Sequence, residues 1–249
     1  MSFPDRTLNS RYELKFWLSP ERVVQVRRSI RPFVQPDRHA AREPGYRYAI
    51  SSLYLDNPSL DCYRTTIEGH RNRFKLRIRT YSDDPASPVF CEIKRRSDMI
   101  VRKSRARVSR QVAQALLEGK PLPESPSSVL ADFAQLTRRL GAAPMMRVRY
   151  MREAWESASR DPVRVTFDTE LENSPTFAPD LSMHGSGWSE TPTEGAILEV
   201  KFTDNCPSWV TSMIRSLSLE RTSVPKYILC IDEAKDRGRL PKSLRAARA

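Results

Sequence analysis

No stretch of this 249-residue chain approaches the roughly 18 consecutive apolar residues that a membrane-spanning helix needs. Its opening, MSFPDRTLNSRYELKF, also lacks the apolar core of a signal peptide. A cytosolic protein is the expectation. Cysteine is scarce: Cys62, Cys91, Cys206 and Cys230 form no C-x-x-C pair, and with three scattered histidines (His39, His70, His184) they spell no zinc site. Reduced packing residues are expected. None of the histidines sits in a nucleophile motif, so none is given acid–base chemistry. Internal repeats of solenoid length are absent, as is the aromatic signature of an RNA-recognition motif.

Acid is also in short supply. Thirty Asp and Glu face 42 Lys and Arg, a formal charge of +12, and the pI near 9.9 points to polyanionic partners: nucleic acid, polyphosphate, nucleotides or acidic membrane. The length allows a single β-rich core. The expected organisation is one domain over 1–233, with a helical insertion at about 109–141, and a basic flexible tail over 234–249.

Local signals supply the elements. A strand over Tyr12–Leu18 leads to Ser19-Pro20-Glu21, a cap, a first-turn proline and a first-turn acid that open a helix to about Ile30. Strands are expected at 46–56, 71–81, 88–95, 99–108, 145–155, 162–168, 195–202 and 226–231. Helical spacing marks Gln111–Glu118, the run from Ser125-Pro126 to Gly141, and a short segment after Pro207. Residues 175–194 read as a long mobile loop.

Because residues i and i+2 share a strand face, spacing becomes a map of charge. Lys75, Arg77 and Arg79 fall on one face; so do Glu92 with Lys94, Lys103 with Arg105 and Arg107, Arg147 with Arg149, and Arg164 with Asp168. Glu-x-Lys falls on three separate strand candidates, at Glu13/Lys15, Glu92/Lys94 and Glu199/Lys201. A single strand of this kind is ordinarily a solvated face. Taken together, the basic strands would form a repelling sheet unless an anion sits on it. The fold class read from this is α+β, an antiparallel β-barrel with charged residues inside and helices packed outside. The chain has nine Lys against 33 Arg, yet Lys15, Lys75, Lys94, Lys103, Lys201 and Lys226 all fall on strand candidates. That mixture of point charges and forks suits phosphate oxygens. A carboxylate among them either neutralises its neighbour or holds a divalent cation. For Glu13 and Glu92 both readings stay open.

Seven segments in order (Leu14–Trp17, Ser52–Asn57 with Leu60–Tyr63, Leu76–Arg79, Val89–Lys94, Phe167–Leu171, Ala196–Lys201 and Val224–Tyr227) resemble the VTC domain. This is the polyphosphate polymerase domain of the vacuolar transporter chaperone family, within the CYTH-like triphosphate tunnel metalloenzymes. The resemblance implies a tunnel of antiparallel strands and a metal-dependent transfer of the terminal phosphoryl of ATP to polyphosphate. It implies phosphate ligands at Lys15, Arg77, Arg79, Lys94, Lys103 or Arg105, Arg147, Arg164, Lys201 and Lys226, with the face map adding Lys75 and Arg149. Lys201, Arg77 and Arg79 are the expected catalytic contacts, and Glu199 the ligand of Mn²⁺ or Mg²⁺. Where the family commonly carries a further lysine three residues after the counterpart of Lys226, this chain has Leu229. Competing readings are a catalytically weak binding or sensor protein, a triphosphatase of the same fold, and a nucleic-acid-binding module; no specific nucleic-acid partner is expected.

Overall fold

Ser19 caps the first helix as its sequence requires, accepting from the Arg22 N–H at 3.4 Å with Pro20 in the first helical turn. The structure, a computed structural model, describes residues 12–98, 100–158, 162–203 and 205–245. In chain order the elements are β1 (Tyr12–Leu18), α1 (Pro20–Ile30), β2 (Gln35–Pro36), β3 (Arg47–Asp56), α2 (Asp61–Ile67), β4 (Asn72–Thr80), β5 (Val89–Ser97) and β6 (Ile100–Val108). There follow α3 (Arg110–Leu117), α4 (Ser128–Leu140), β7 (Ala143–Glu156), β8 (Arg164–Pro175), β9 (Ser189–Glu190), β10 (Ala196–Phe202), α5 (Ser208–Ser216), α6 (Lys226–Asp236) and α7 (Lys242–Arg245). The fold class is the expected α+β, with a ten-stranded sheet in the order β1-β10-β8-β7-β3-β4-β5-β6 and with β2 and β9 added on β7 and β8. Every strand pair whose register is defined is antiparallel. No described helix is long and apolar enough to cross a membrane.

The chain divides into two compact units, the first from residues up to 49, 150–171 and 192–225, the second from 50–149, 172–191 and 226 onward. In the first, Phe16, Leu198 and Phe167 are register partners, as are Leu14, Val200 and Val165. This apolar face packs with Val23, Val26 and Ile30 of α1 and Val210 and Met213 of α5. Gly195 lets β10 begin beside β1, since a Cβ there would lie 2.1 Å from the Leu18 carbonyl oxygen.

In the second unit, Leu76, Ile78, Cys91, Ile93 and Ala106 form one buried sheet face, covered by Ala113 and Leu116 of α3 and Leu130, Phe133 and Ala134 of α4. The helical insertion therefore lies against the apolar side of β4–β6. Burying each large apolar side chain contributes roughly 1.5–3 kcal/mol, and a one-residue slip would expose the whole set. The charged side chains are thereby locked onto the opposite face.

Three expectations are revised. Residues 226–231 form the start of a helix, not a strand: Tyr227, Cys230, Ile231 and Ala234 are buried at helical spacing that a window ending at 231 truncates. The supposed tail is partly built, since α6 runs to Asp236, Leu240 is buried and α7 follows; residues 246–249 lie outside the described residues. Within 175–194, Leu181 and Met183 are buried and β9 pairs with Glu172 and Asn173, so this is an anchored segment. The missed end of β8 contains Glu170 at φ 53°, a left-handed residue that interrupts the alternation.

Candidate functional site

The charged face of the second unit is built rung by rung across β3–β6. One rung sets Tyr54, Arg77, Glu92 and Arg105 opposite one another, and the next sets Lys75, Lys94 and Lys103 in a row of like charge. A third aligns Ser52, Arg79, Phe90 and Arg107. Glu92 is 1% exposed. Its Oε2 accepts from Arg77 Nε at 2.7 Å, and its Oε1 from Arg105 Nε at 2.6 Å, with Lys103 Nζ 2.8 Å away. Burial alone would raise its pKa, but Arg77, Arg79, Lys103 and Arg105 hold the carboxyl well below the usual range. Glu92 is thus an ionised anchor that aims a set of cations.

Lys103 shows the opposite strain. Its side chain is 43% exposed, yet partial desolvation, with the Arg77, Arg79 and Arg105 charges added, draws its ammonium down to about 6 against the attraction of Glu92. Arg105 also stacks over Phe90 at 4.4 Å and donates to Tyr81 Oη at 3.1 Å. Arg79 donates to Ser52 Oγ at 3.2 Å. Arg77 donates to Tyr54 Oη at 3.0 Å, Tyr54 stacks on Tyr227 at 4.9 Å, and the Tyr227 hydroxyl donates to the buried Asp56 at 2.9 Å. Asp56 also accepts from the N–H groups of Cys62 and Tyr63 at the start of α2.

The first unit carries a different arrangement. Lys15, Glu199 and Thr166 share one rung of β1–β10–β8, and Glu13, Lys201 and Arg164 the next. Lys15 Nζ lies 3.0 Å from both Glu13 and Glu199, while Lys201 Nζ donates to Glu199 Oε2 at 2.7 Å. Burial would lower the Lys15 pKa, but the Glu199 and Glu13 charges raise it above the ordinary lysine value. Arg152, almost fully buried, is bidentate to Asp168 at 2.6 and 2.7 Å and reaches Glu199 at 3.7 Å. The Thr166 hydroxyl is buried without a partner. Arg164 pairs with Asp37 at 2.6 Å.

A row of partly exposed lysines thus lies beside an arginine row anchored on Glu92. The VTC domain model aligns with residues 10–234. The chain belongs to the VTC domain family. It is 25% identical over 273 residues to vacuolar transporter chaperone complex subunit 4 of Schizosaccharomyces pombe, an alignment covering 87% of this chain and 36% of that protein. The chain thus spans about a third of the curated relative's length. Among solved structures, a candidate adenylate cyclase from Bacillus halodurans aligns at TM-score 0.49 and 13% identity, over 87% of this chain and 94% of that one. A protein from Pyrococcus horikoshii OT3 aligns at TM-score 0.45 and 14% identity, over 90% and 98% of the two chains.

Within this VTC domain the expected site residues fall into distinct settings. Lys75, Arg77, Arg79, Lys94, Lys103 and Arg105 share one face of the second unit; Lys15, Lys201 and Arg164 share one face of the first with Glu13 and Glu199. Lys226 is buried at the first turn of α6. Arg147 and Arg149 are engaged by residues 172–188 of their own unit: Arg147 donates to Ser182 Oγ at 2.9 Å and Ser174 Oγ at 2.7 Å, and Arg149 to Glu172 at 2.7 Å. Sequence reasoning missed Arg152, which is out of phase with Arg147 and Arg149, and Tyr54, whose role appears only once register sets it beside Arg77.

A divalent cation of the kind expected from the sequence needs convergent oxygen donors. Among the described residues no three His, Cys, Asp or Glu side chains come together as a metal cage. Glu92 is surrounded by cations and is a poor ligand. Glu13 and Glu199 meet at the Lys15 ammonium, and Glu199 also contacts Lys201 and Arg152, so a cation bound there would take the place of these contacts. Mg²⁺ keeps several waters and takes one or two carboxylates plus substrate phosphates. Two carboxylates, Glu13 and Glu199, are the number of protein ligands such an ion takes.

Proposed function

We propose that this VTC domain binds a phosphate chain on its charged faces and transfers the terminal phosphoryl group of ATP to polyphosphate, releasing ADP. The observation that carries the reading is the lysine row Lys75–Lys94–Lys103, laid beside Arg77–Glu92–Arg105. Like charges set directly opposite one another destabilise a sheet. A ligand that repeats a negative charge at regular intervals matches such a row along its length, and polyphosphate does so.

The chemistry asks for little covalent help. Phosphoryl transfer proceeds through a loose transition state whose charge spreads over the equatorial oxygens, so positioning and charge stabilisation supply most of the acceleration. Arg77 and Arg79, aimed by Glu92 and Ser52, would clamp oxygens as bidentate forks; Lys201 would neutralise a single oxygen. A terminal phosphate is largely ionised near neutral pH, so the attacking oxygen needs no general base, in keeping with a chain poor in histidine. Glu199, with Glu13, would hold Mg²⁺ or Mn²⁺, which when bound neutralises phosphate charge.

Leu229 supports a second reading, a binding or sensor protein of low turnover, because it stands one helical turn beyond Lys226 where the family commonly has lysine. Purified protein incubated with ATP and Mg²⁺ or Mn²⁺ separates the readings, with polyphosphate followed on gels and ADP by coupled assay. Polymer lengthening with stoichiometric ADP, lost in Glu199→Ala and Lys201→Ala, is the expected result. Phosphate release without polymer would assign a triphosphatase, and tripolyphosphate binding without turnover a sensor.

A further inference from the structure

Arg147 is 6% exposed, although a phosphate ligand must be reachable. What covers it is the chain between β8 and β9. Ser174 and Ser182 accept from its guanidinium, the Ser186 carbonyl accepts at 3.1 Å, and the Asp180 carboxylate pairs with Nη1. Arg149 is held in the same way, by Glu172 and by the Met183 carbonyl at 2.5 Å. The Trp188 ring lies under both arginines, 4.9 and 4.5 Å from the two guanidinium carbons. Asp83 fastens the segment by accepting the N–H groups of Met183 and His184 at 2.7 and 2.8 Å.

We infer that residues 174–188 are an internal occupant of the Arg147–Arg149 pair, with Asp180 seated where a phosphate of the substrate chain binds, so that a long polyanion engages these arginines only by displacing the segment. Three observations converge. Asp180 is the exposed partner at 37% and Arg147 the buried one, so the contact opens from the solvent side. Arg147 Nε stays without a partner under the segment, leaving a donor the occupant does not satisfy. The contacts on Arg147 are one carboxylate, two hydroxyls and a carbonyl, each an oxygen that phosphate can replace. Short anions that end on the β4–β6 rungs would leave the segment in place.

The proposal rests on the phosphate-binding reading and is tested apart from it by calorimetry with inorganic tripolyphosphate and longer polyphosphate on the full chain. Asp180→Asn is expected to bind the long polymer about threefold to tenfold more tightly, the scale of one lost competing ion pair. Asp84→Asn controls for the bare change in charge: its carboxylate accepts from Ala86 N and lies near Ser87 Oγ, and its effect should stay under about twofold. If Asp180→Asn melts early, Ser182→Ala should move affinity in the same direction by less. Long polymer should also speed chymotryptic cleavage after Leu181, which is buried in the free protein. Unchanged or weaker binding by Asp180→Asn, or protection of Leu181 by polymer, overturns the occupant while leaving phosphate binding intact. Failure of wild type and variant alike to bind any phosphate chain removes both.

Discussion

The β4–β6 face of the second unit carries Lys75, Arg77, Arg79, Lys94, Lys103, Arg105 and Arg107 around Glu92, whereas the β1–β10–β8 face of the first sets Glu13 against Lys201 and Lys15 against Glu199. The two faces are built from the same strand grammar and differ in charge balance. One has cations in excess and gains by acquiring an anion. The other is nearly neutral by itself, and its buried acid is placed to tune how its lysines present themselves. Affinity should accordingly reside mainly in the second unit, whose Arg77 and Arg79 also act in the transfer, while Glu199 and Lys201 of the first should bear on turnover more than on affinity.

Four measurements would break or sharpen that contrast. The largest effect is expected from Glu199→Gln, which should lower turnover by at least about a hundredfold, as removal of one preorganised charge contact does, while tripolyphosphate affinity changes by less than about tenfold; equal losses in both would erase the contrast. Next comes Glu92→Gln, which strands Arg77, Lys103 and Arg105 around a neutral group. A loss of about 3 kcal/mol in urea unfolding is expected, the low end for a broken buried pair because Lys103 and Arg105 are partly solvated. Saturating polyphosphate should restore much of it. Lys94→Ala, at the centre of the lysine row, should weaken tripolyphosphate binding about tenfold, or ~1.4 kcal/mol. Lys15→Ala, whose charge is already shared by two acids, should weaken it less.

The smallest effect is a pH slope. Lys103 titrates at about 6 in the free protein, and a bound polyanion raises that value. Binding should therefore take up a proton above pH 6 and weaken with rising pH by less than about tenfold per unit, a slope missing in Lys103→Met. The sign for folding is opposite. Because the unfolded lysine keeps its ordinary value of 10.5, the unfolded chain holds more protons between the two, and the free protein gains stability as pH rises through that window. Calorimetry in buffers of different ionisation enthalpy and melts across pH check both signs.

The charged faces were legible because strand alternation converts spacing into direction, and the alternation holds within each of β4, β5 and β6. The family was legible in the order of its segments. What the sequence concealed has local causes. The helix at Lys226 was masked because an apolar run fits both strand and helix until Ala234 is included. Arg152 was hidden by phase, and the hold on Arg147 by a segment whose Pro, Ser and Gly content reads as loop while its Leu181 and Met183 pack inward.

The stack of Tyr54 on Tyr227 has a practical corollary for shortening this chain. Arg77 leans on the Tyr54 hydroxyl, Tyr54 on the Tyr227 ring, and Tyr227 on Asp56. A version cut after Pro225 would retain every lysine and arginine of β4–β6, and a count of its charges would show no loss there. Yet the Arg77 guanidinium, which donates to Glu92, would have lost the backing that fixes its tilt. The smallest fragment that keeps the β4–β6 face intact is therefore set by an aromatic ring late in the sequence, well beyond the last cation of those strands.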